Sequence, residues 1–202
     1  MGADLDSQGL SGLGVIKAWR KDRWRIAGAW QRGEFSLGLW QHMEQAAIAA
    51  VRRPGSAQEA GVCSWYMEGP HLFCSLPSGR TLIYRRPELK SIRKPWDREP
   101  ELRLCYEVAQ WVNLDGKPVM IDTWGGKLVE NVIQAICRDL LAESLKALEE
   151  RGVATVLHVH DEIIAEVEDK DAVSEVMLKT PAWARGLPVG VEAETSERWG
   201  KV

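Results

Sequence analysis

Val153-Ala-Thr-Val-Leu-His-Val-His-Asp-Glu-Ile-Ile-Ala-Glu-Val167 decides how the rest of the chain is read. Two β-branched, alternating runs flank His160-Asp161-Glu162 with no Gly or Pro between them, which predicts a strand, a tight acidic tip and a return strand. On strict alternation Val156, His158 and His160 share one face of the first strand, and Leu157 and Val159 the other. Two carboxylates at such a tip lie beyond the apolar strands, where they can reach a hard cation. Mg²⁺ takes one or two protein carboxylates and completes its shell with water and phosphate oxygens. A charged hairpin turn fits the same string, and a zinc site of His158, His160 and Asp161 lacks third-ligand spacing.

Upstream of this hairpin, Lys127 to about Glu150 carries an apolar stripe of Val129, Val132, Ile133, Ile136, Leu140, Leu141 and Leu148 at near-helical period. Lys127, Asn131, Gln134 and Arg138 stand four, three and four apart and form a polar stripe on another face, suited to phosphates and minor-groove acceptors or simply to solvent. Arg151-Gly152 ends the helix. Downstream, a short helix is expected from about Asp171 to Lys179, and a last strand through Pro188–Ala193.

Toward the amino terminus, Gly12 to Val51 reads as helix in two pieces, with Gly33 and the Gly38 region as candidate interruptions. From Gly61 the character turns to β. Strands are expected over Val62–Met67, His71–Leu76 and Thr81–Tyr84, the last two joined by Pro77-Ser78-Gly79-Arg80. A further hairpin is expected over Leu104–Val112 and Lys117–Thr123, turning at Asn113–Gly116. The basic, proline-containing stretch 85–100 reads as an exposed connection.

The 202 residues are 45% hydrophobic and 27% charged, which excludes disordered and collagen-like classes. No apolar run approaches the roughly 18–20 residues of a membrane helix. The first residues lack the basic start and apolar core of a secretory signal, so a cytoplasmic protein is expected. Cys63, Cys74, Cys105 and Cys137 form no C-x-x-C pair and read as reduced, mostly buried thiols. Net charge is −3, but from Leu140 onward 13 acids face 7 bases, and before it 19 bases face 16 acids. Lys17 to Arg32 holds six bases against Asp22 alone, and a second basic tract runs from Arg80 to Arg103. Basic tracts interleaved with Trp suit a polyanion, and equally a solvated helix face.

Taken together these segments resemble the family A DNA polymerases, especially their phage-type members. VLHVHDEIIAEVE resembles motif C, and WGGKLVENVIQAICRDLLAESL the helix that precedes it. IKAWRKDRWRIAGAW is similar to the helix after the nucleotide-binding helix, LPSGRTLIY to a Gly-Arg hairpin, and GLPVGVEAETSERW to the closing strand and tail. The resemblance runs collinearly over residues 13–201.

It implies an α+β fold, a mostly antiparallel palm-type sheet with packed helices and the motif C hairpin at its centre. Residues 1–60 would connect fingers to palm, and 61–202 would form the palm portion. It implies Asp161 as a catalytic metal-binding carboxylate with Glu162 as its auxiliary, and His160 against the primer terminus. Gln134 would meet the minor groove and Lys127 the template–primer backbone. Arg138 and Asn131 are further DNA contacts, with the family's Asn offset by one toward Glu130.

Nothing in the sequence resembles motif A or motif B, so the two-Mg²⁺ site would be only partly supplied by this chain. The expectation is a C-terminal subunit or fragment, inactive alone, with Met1-Gly2 as its own start. It would act with primer–template DNA, dNTP and a second chain carrying motifs A and B, in a bacterial or phage-infected cell. Its Trp-rich amino-terminal helices would then be interface. The alternative is a catalytically inactive palm-derived module that binds DNA or a protein.

Overall fold

A computed structural model describes residues 12–31, 34–95, 98–113 and 115–198. Three expectations fall outside them: the start at Met1-Gly2, the break at Gly33 and the tail beyond Arg198. The fold is α+β, and its chain divides into two compact units. One runs through Leu76 and again from Thr81 to Asn131; the other comprises Pro77–Arg80 and the chain from Val132 onward.

The first unit begins with helices α1 (Gly12–Asp22) and α2 (Trp24–Ala27), a hairpin of β1 (Ala29–Gln31) and β2 (Glu34–Ser36), and helix α3 (Leu39–Arg52). The hairpin corrects the expectation of two helical pieces over Gly12 to Val51: the run is broken there by strand as well as by glycine. Gly28, at φ 73°, ends α2, and a Cβ on Gly38 would lie 2.3 Å from the Gly28 nitrogen, so the chain folds back on itself here. Helical periodicity cannot register such a close backbone approach.

Six strands follow: β3 (Gln58–Ala60), β4 (Cys63–Glu68), β5 (His71–Ser75), β6 (Thr81–Ile92), β7 (Glu101–Val112) and β8 (Pro118–Thr123). They form one antiparallel meander in which each strand pairs with its sequence neighbour. The β5–β6 hairpin, with Ser75 opposite Thr81, turns where the Pro-Ser-Gly-Arg step predicts. Strand β3 has no counterpart in the sequence reading.

The supposed connection 85–100 is strand as far as Ile92. Register slips between Arg85 and Glu88, so Pro87 sits in a bulge where its missing N–H breaks no ladder bond. Arg85 and Arg86 bracket buried Glu107 at 3.4 and 3.5 Å. A proline that reads as a breaker is thus carried within a strand.

Helix α3 turns Met43, Ala46, Ala47 and Ala50 inward, and Trp65, Leu72, Cys74, Tyr84, Leu104 and Leu128 are buried in the same unit. The Trp65 indole N–H points at the Met43 sulfur at 3.1 Å, and Trp65 packs on Tyr84 at 5.5 Å between ring centroids. Cys63, Cys74 and Cys105 are buried free thiols, while Cys137 is exposed.

Helix α4 (Gly125–Glu150) crosses the boundary between the units. Beyond it the second unit holds hairpin β9 (Ala154–Val159) and β10 (Glu162–Glu166), helix α5 (Lys170–Met177) capped by the Asp169 carboxylate, and a 3-10 turn at Ala182–Ala184. Leu141, Leu148, Val176 and Ala184 are buried there.

Two expectations are corrected in this unit. Residues 188–193 form no strand. The acidic hairpin is not at the centre of the large sheet: among the described residues β9 and β10 pair with each other alone. Val156 and Leu157 stand exposed at 61% and 44%, although their β-branched and apolar character suits a covered strand. Among the described residues no helix is long and apolar enough to cross a membrane.

Candidate functional site

The tip of the β9–β10 hairpin is a two-residue turn, His160-Asp161, closed by Val159 opposite Glu162. His160 takes φ 52°, whereas Asp161 keeps an ordinary φ. A positive φ at the first turn position alone is the geometry of a type II′ hairpin turn, where glycine is usual. Histidine therefore occupies a strained position at the centre of the candidate site.

Neighbouring Asp161 and Glu162 are both exposed, with no cation held against either among the described residues. Between Ile164 and Ala165 the register slips, leaving Val156 without a partner on β10. The strict alternation that would align Val156 with His158 is broken by that bulge, and His160 belongs to the turn rather than to the strand.

Two adjacent hard carboxylates at an exposed tip fit Mg²⁺, which takes few protein ligands. A group of three or more His, Cys, Asp or Glu side chains able to hold a metal is absent among the described residues. The tip can supply one side of a cation site and no more.

Helix α4 carries the second set of residues. Its start is fixed by packing: a Cβ on Gly125 would lie 1.9 Å from the Trp40 carbonyl oxygen, and the Gly125 N–H donates to Glu44 Oε2 at 3.3 Å. Burial raises the Glu44 pKa, opposed by that backbone hydrogen bond. Trp124, just before the helix, meets Trp40 edge to face at 5.2 Å, and Trp19 stacks on Trp40 at 5.9 Å. Part of the unusual Trp content is thus one aromatic column.

Along the stripe, Lys127 is half-exposed and lies 3.0 Å from Glu130. Asn131 donates from Nδ2 to the Tyr84 hydroxyl at 3.2 Å. Burial pushes the Tyr84 phenol above its ordinary pKa, and the Asn131 bond moderates the rise. Gln134 and Arg138 are exposed. Lys127 through Arg138 spans three helical turns.

One set of contacts was not predicted from the sequence. Asp139 is buried, accepting from Ser78 Oγ at 2.5 Å and from Arg80 Nε at 2.5 Å, while Arg80 Nη2 donates to the Ala135 carbonyl at 2.9 Å. Asp139 follows Val132 by seven residues, two turns along the apolar stripe. An acid in that register signals a buried partner, but the sequence does not say which.

Much of the second basic tract is also paired. Besides Arg80, Arg85 and Arg86, Lys90 meets Glu88 at 2.8 Å, Lys94 meets Asp122 at 2.8 Å and Arg103 meets Glu101 at 3.0 Å. The tract therefore presents less free positive charge than its composition suggests.

Over 193 residues, 93% of its length, the chain is 36% identical to a DNA polymerase of Bacillus phage SP02. Those residues make up 27% of that polymerase, so the chain spans about a quarter of the relative it matches. No family model and no solved structure matches the chain. In sequence, over nearly its full length, it is similar to part of a phage DNA polymerase.

Proposed function

We propose that this chain is the C-terminal portion of a family A DNA polymerase, contributing motif C to template-directed nucleotidyl transfer. The observation that carries this reading is the 36% identity to a phage DNA polymerase along nearly the whole chain, acidic hairpin included. Residues 1–60 connect fingers to palm, and 61–202 form the palm portion. The protein acts in the cytoplasm of a bacterial or phage-infected cell.

Asp161 and Glu162 are the residues that would hold Mg²⁺, which when bound stabilises the charge that develops on the transferring phosphoryl group. The chain's own part is positional. His160, fixed in the turn, lies against the primer terminus beside the carboxylates. Gln134 takes minor-groove acceptors of the terminal pair, while Lys127, Arg138 and Asn131 contact the primer–template.

Two adjacent carboxylates cannot bracket both the attacking and the leaving oxygen, so motifs A and B must be supplied from outside these residues for dNTP binding and turnover, and a partner chain is the source proposed here. The exposed apolar residues of β9 are consistent with a strand pair covered in a larger assembly. The alternative is a palm-derived module that binds DNA or a protein partner without catalysis.

Co-expression with the polymerase-like chain carrying motifs A and B, followed by primer extension with Mg²⁺ and dNTP, separates the two. Extension that needs both chains and disappears in Asp161→Ala supports the split enzyme. Co-purification without extension establishes the inactive module, and extension that survives Asp161→Ala overturns the metal assignment.

A further inference from the structure

A small groove of about 220 Å³ lies between the C-terminal half of α4 and the end of α5, inside the second unit. Glu143, Ala147 and Arg151 line it from α4 and the turn after it, four and four residues apart and so along one face. Val176 lines it from α5, followed by Lys179 and Pro181. Val176 is buried, and Ala147 and Pro181 are half-buried, so the middle of the groove is aliphatic.

Its two ends on the α4 side carry opposite chemistry. Glu143 is an exposed carboxylate. Ser144 beside it is 9% exposed and gives its hydroxyl proton to the Leu140 carbonyl at 3.1 Å, which leaves its oxygen free to accept. Arg151 follows Glu143 by eight residues, about 12 Å along the helix direction, and offers donors alone. Lys179 adds a second cation from the facing wall, and Thr180 a hydroxyl. The backbone beneath both bases is fixed: the Arg151 N–H donates to the Leu148 carbonyl at 3.0 Å and the Lys179 N–H to the Val176 carbonyl at 3.1 Å. Among the described residues no ion pair holds Glu143, Arg151 or Lys179.

We infer that this groove binds a small dipolar aliphatic molecule, an ω-amino carboxylate, with its ammonium on Glu143 and Ser144, its carboxylate on Arg151 and its methylenes over Ala147 and Val176. Charge-assisted contacts of about 2.8 Å at each end leave about 6 Å for the ligand's own chain, the length of roughly five methylenes. A carboxylate alone would leave Glu143 unmatched, and an amine alone would leave Arg151 and Lys179 unmatched. The surroundings disfavour a polyanion: from Leu140 onward 13 acids face 7 bases, and their field repels phosphates while leaving a net-neutral ligand unaffected.

The inference goes beyond the polymerase reading and does not rest on it, so its test needs neither the partner chain nor turnover. The full chain, labelled with nitrogen-15, is titrated with 6-aminohexanoate, hexanoate and hexylamine, which share one carbon chain and differ in their end charges. A further arm uses acetyl-Gly-Gly-Lys with a free carboxylate, which presents the same two charges from a peptide terminus. Amide shifts report binding. Glu143→Gln, Arg151→Gln and the groove-filling Ala147→Leu are compared with wild type after circular dichroism shows them folded.

The expected result is 6-aminohexanoate binding about tenfold more tightly than either singly charged analogue, as one charge-assisted contact more would give. Its shifts should centre on Ala147, Val176 and Lys179. Glu143→Gln should weaken 6-aminohexanoate about tenfold and leave hexanoate unchanged, whereas Arg151→Gln should weaken both and leave hexylamine unchanged. Ala147→Leu should abolish binding of all three. No binding of 6-aminohexanoate, equal binding of hexanoate or hexylamine, or unchanged affinity in the folded variants overturns the inference. Tighter binding of the peptide overturns the free molecule as the ligand. None of these outcomes bears on Asp161, so failure here is distinct from failure in primer extension.

Discussion

Arg80 reaches Asp139 through Nε at 2.5 Å while its Nη2 caps the Ala135 carbonyl, clasping the Pro77–Arg80 turn to helix α4 within one unit. The two partners are unequally placed: the Asp139 side chain is 11% exposed and that of Arg80 45%. Removing Arg80 leaves a nearly buried carboxylate with Ser78 as its remaining side-chain partner, whereas removing Asp139 leaves a guanidinium that water can reach. Arg80→Ala should therefore cost about 2 kcal/mol, below the range for a wholly buried pair because Arg80 is half in water, and Asp139→Ala should cost less. Urea unfolding of both single variants and the double variant checks the ordering. Equal losses, or additive ones, would contradict the clasp.

Gly125→Ala tests the approach of α4 to Trp40. In a free helix this substitution stabilises by about 1 kcal/mol. Here the new Cβ would lie 1.9 Å from the Trp40 carbonyl oxygen, which is backbone and cannot swing aside. A net loss of about 2 kcal/mol is expected, with altered near-UV circular dichroism from the Trp19–Trp40–Trp124 column. Gly126→Ala meets the Trp124 ring instead, and that partly exposed side chain can move, so its loss should be smaller.

These contacts mark where the sequence was legible. The α4 stripe, the β5–β6 turn and the acidic hairpin depend on local periodicity and turn chemistry, and each lies where its residues predict, except that Ile133 of the stripe is 53% exposed. The contacts of Gly38, Pro87 and Asp139 were opaque for a different reason. Each is explained by a partner distant in sequence or by an irregularity: backbone folding back on Gly28, a bulge beside Glu107, and the Arg80 clasp. Local pattern encodes that Asp139 lies on a buried face but not what meets it. Asp161 and Glu162 were identified as candidates from their string, yet that β9 and β10 pair, among the described residues, with each other alone is a property of strand pairing that the string does not carry.

His160→Gly separates backbone strain from chemistry at the hairpin tip. Glycine accepts φ 52° without the penalty a side chain brings, so the hairpin should gain about 1 kcal/mol of stability, read as slower amide exchange at Val159 and Glu162. If His160 meets the primer terminus, extension by the two-chain polymerase should fall at the same time. A glycine variant at least as active as wild type would remove that role.

The carboxylates beside it invite the opposite comparison. Asp161 and Glu162 are exposed and unpaired among the described residues, so alanine at either should leave thermal stability within about 0.5 kcal/mol of wild type. If Asp161 holds Mg²⁺ in the polymerase proposed above, its loss should remove several kcal/mol of charge stabilisation, which corresponds to about a thousandfold in rate. Glu162→Ala should lose less, as an auxiliary ligand would. Equal kinetic losses would reverse their assigned ranks.

Glu44 supplies a prediction that needs no partner. Its pKa is raised above 4.5 by burial, against the Gly125 N–H bond and the attraction of Arg103. A carboxyl whose folded-state pKa exceeds its unfolded one binds its proton more tightly when folded. Its contribution to stability is therefore fully present below the unfolded pKa and lost as pH rises through the folded value. Glu44→Gln keeps an oxygen to accept from Gly125 but has nothing to ionise. The variant should match wild type near pH 4 and become the more stable of the two as pH climbs above 4.5, the gap levelling off once Glu44 is fully ionised. Urea midpoints measured from pH 4 to pH 8 decide it, and a gap that widened toward acid would show the carboxylate to be stabilised rather than strained by its surroundings.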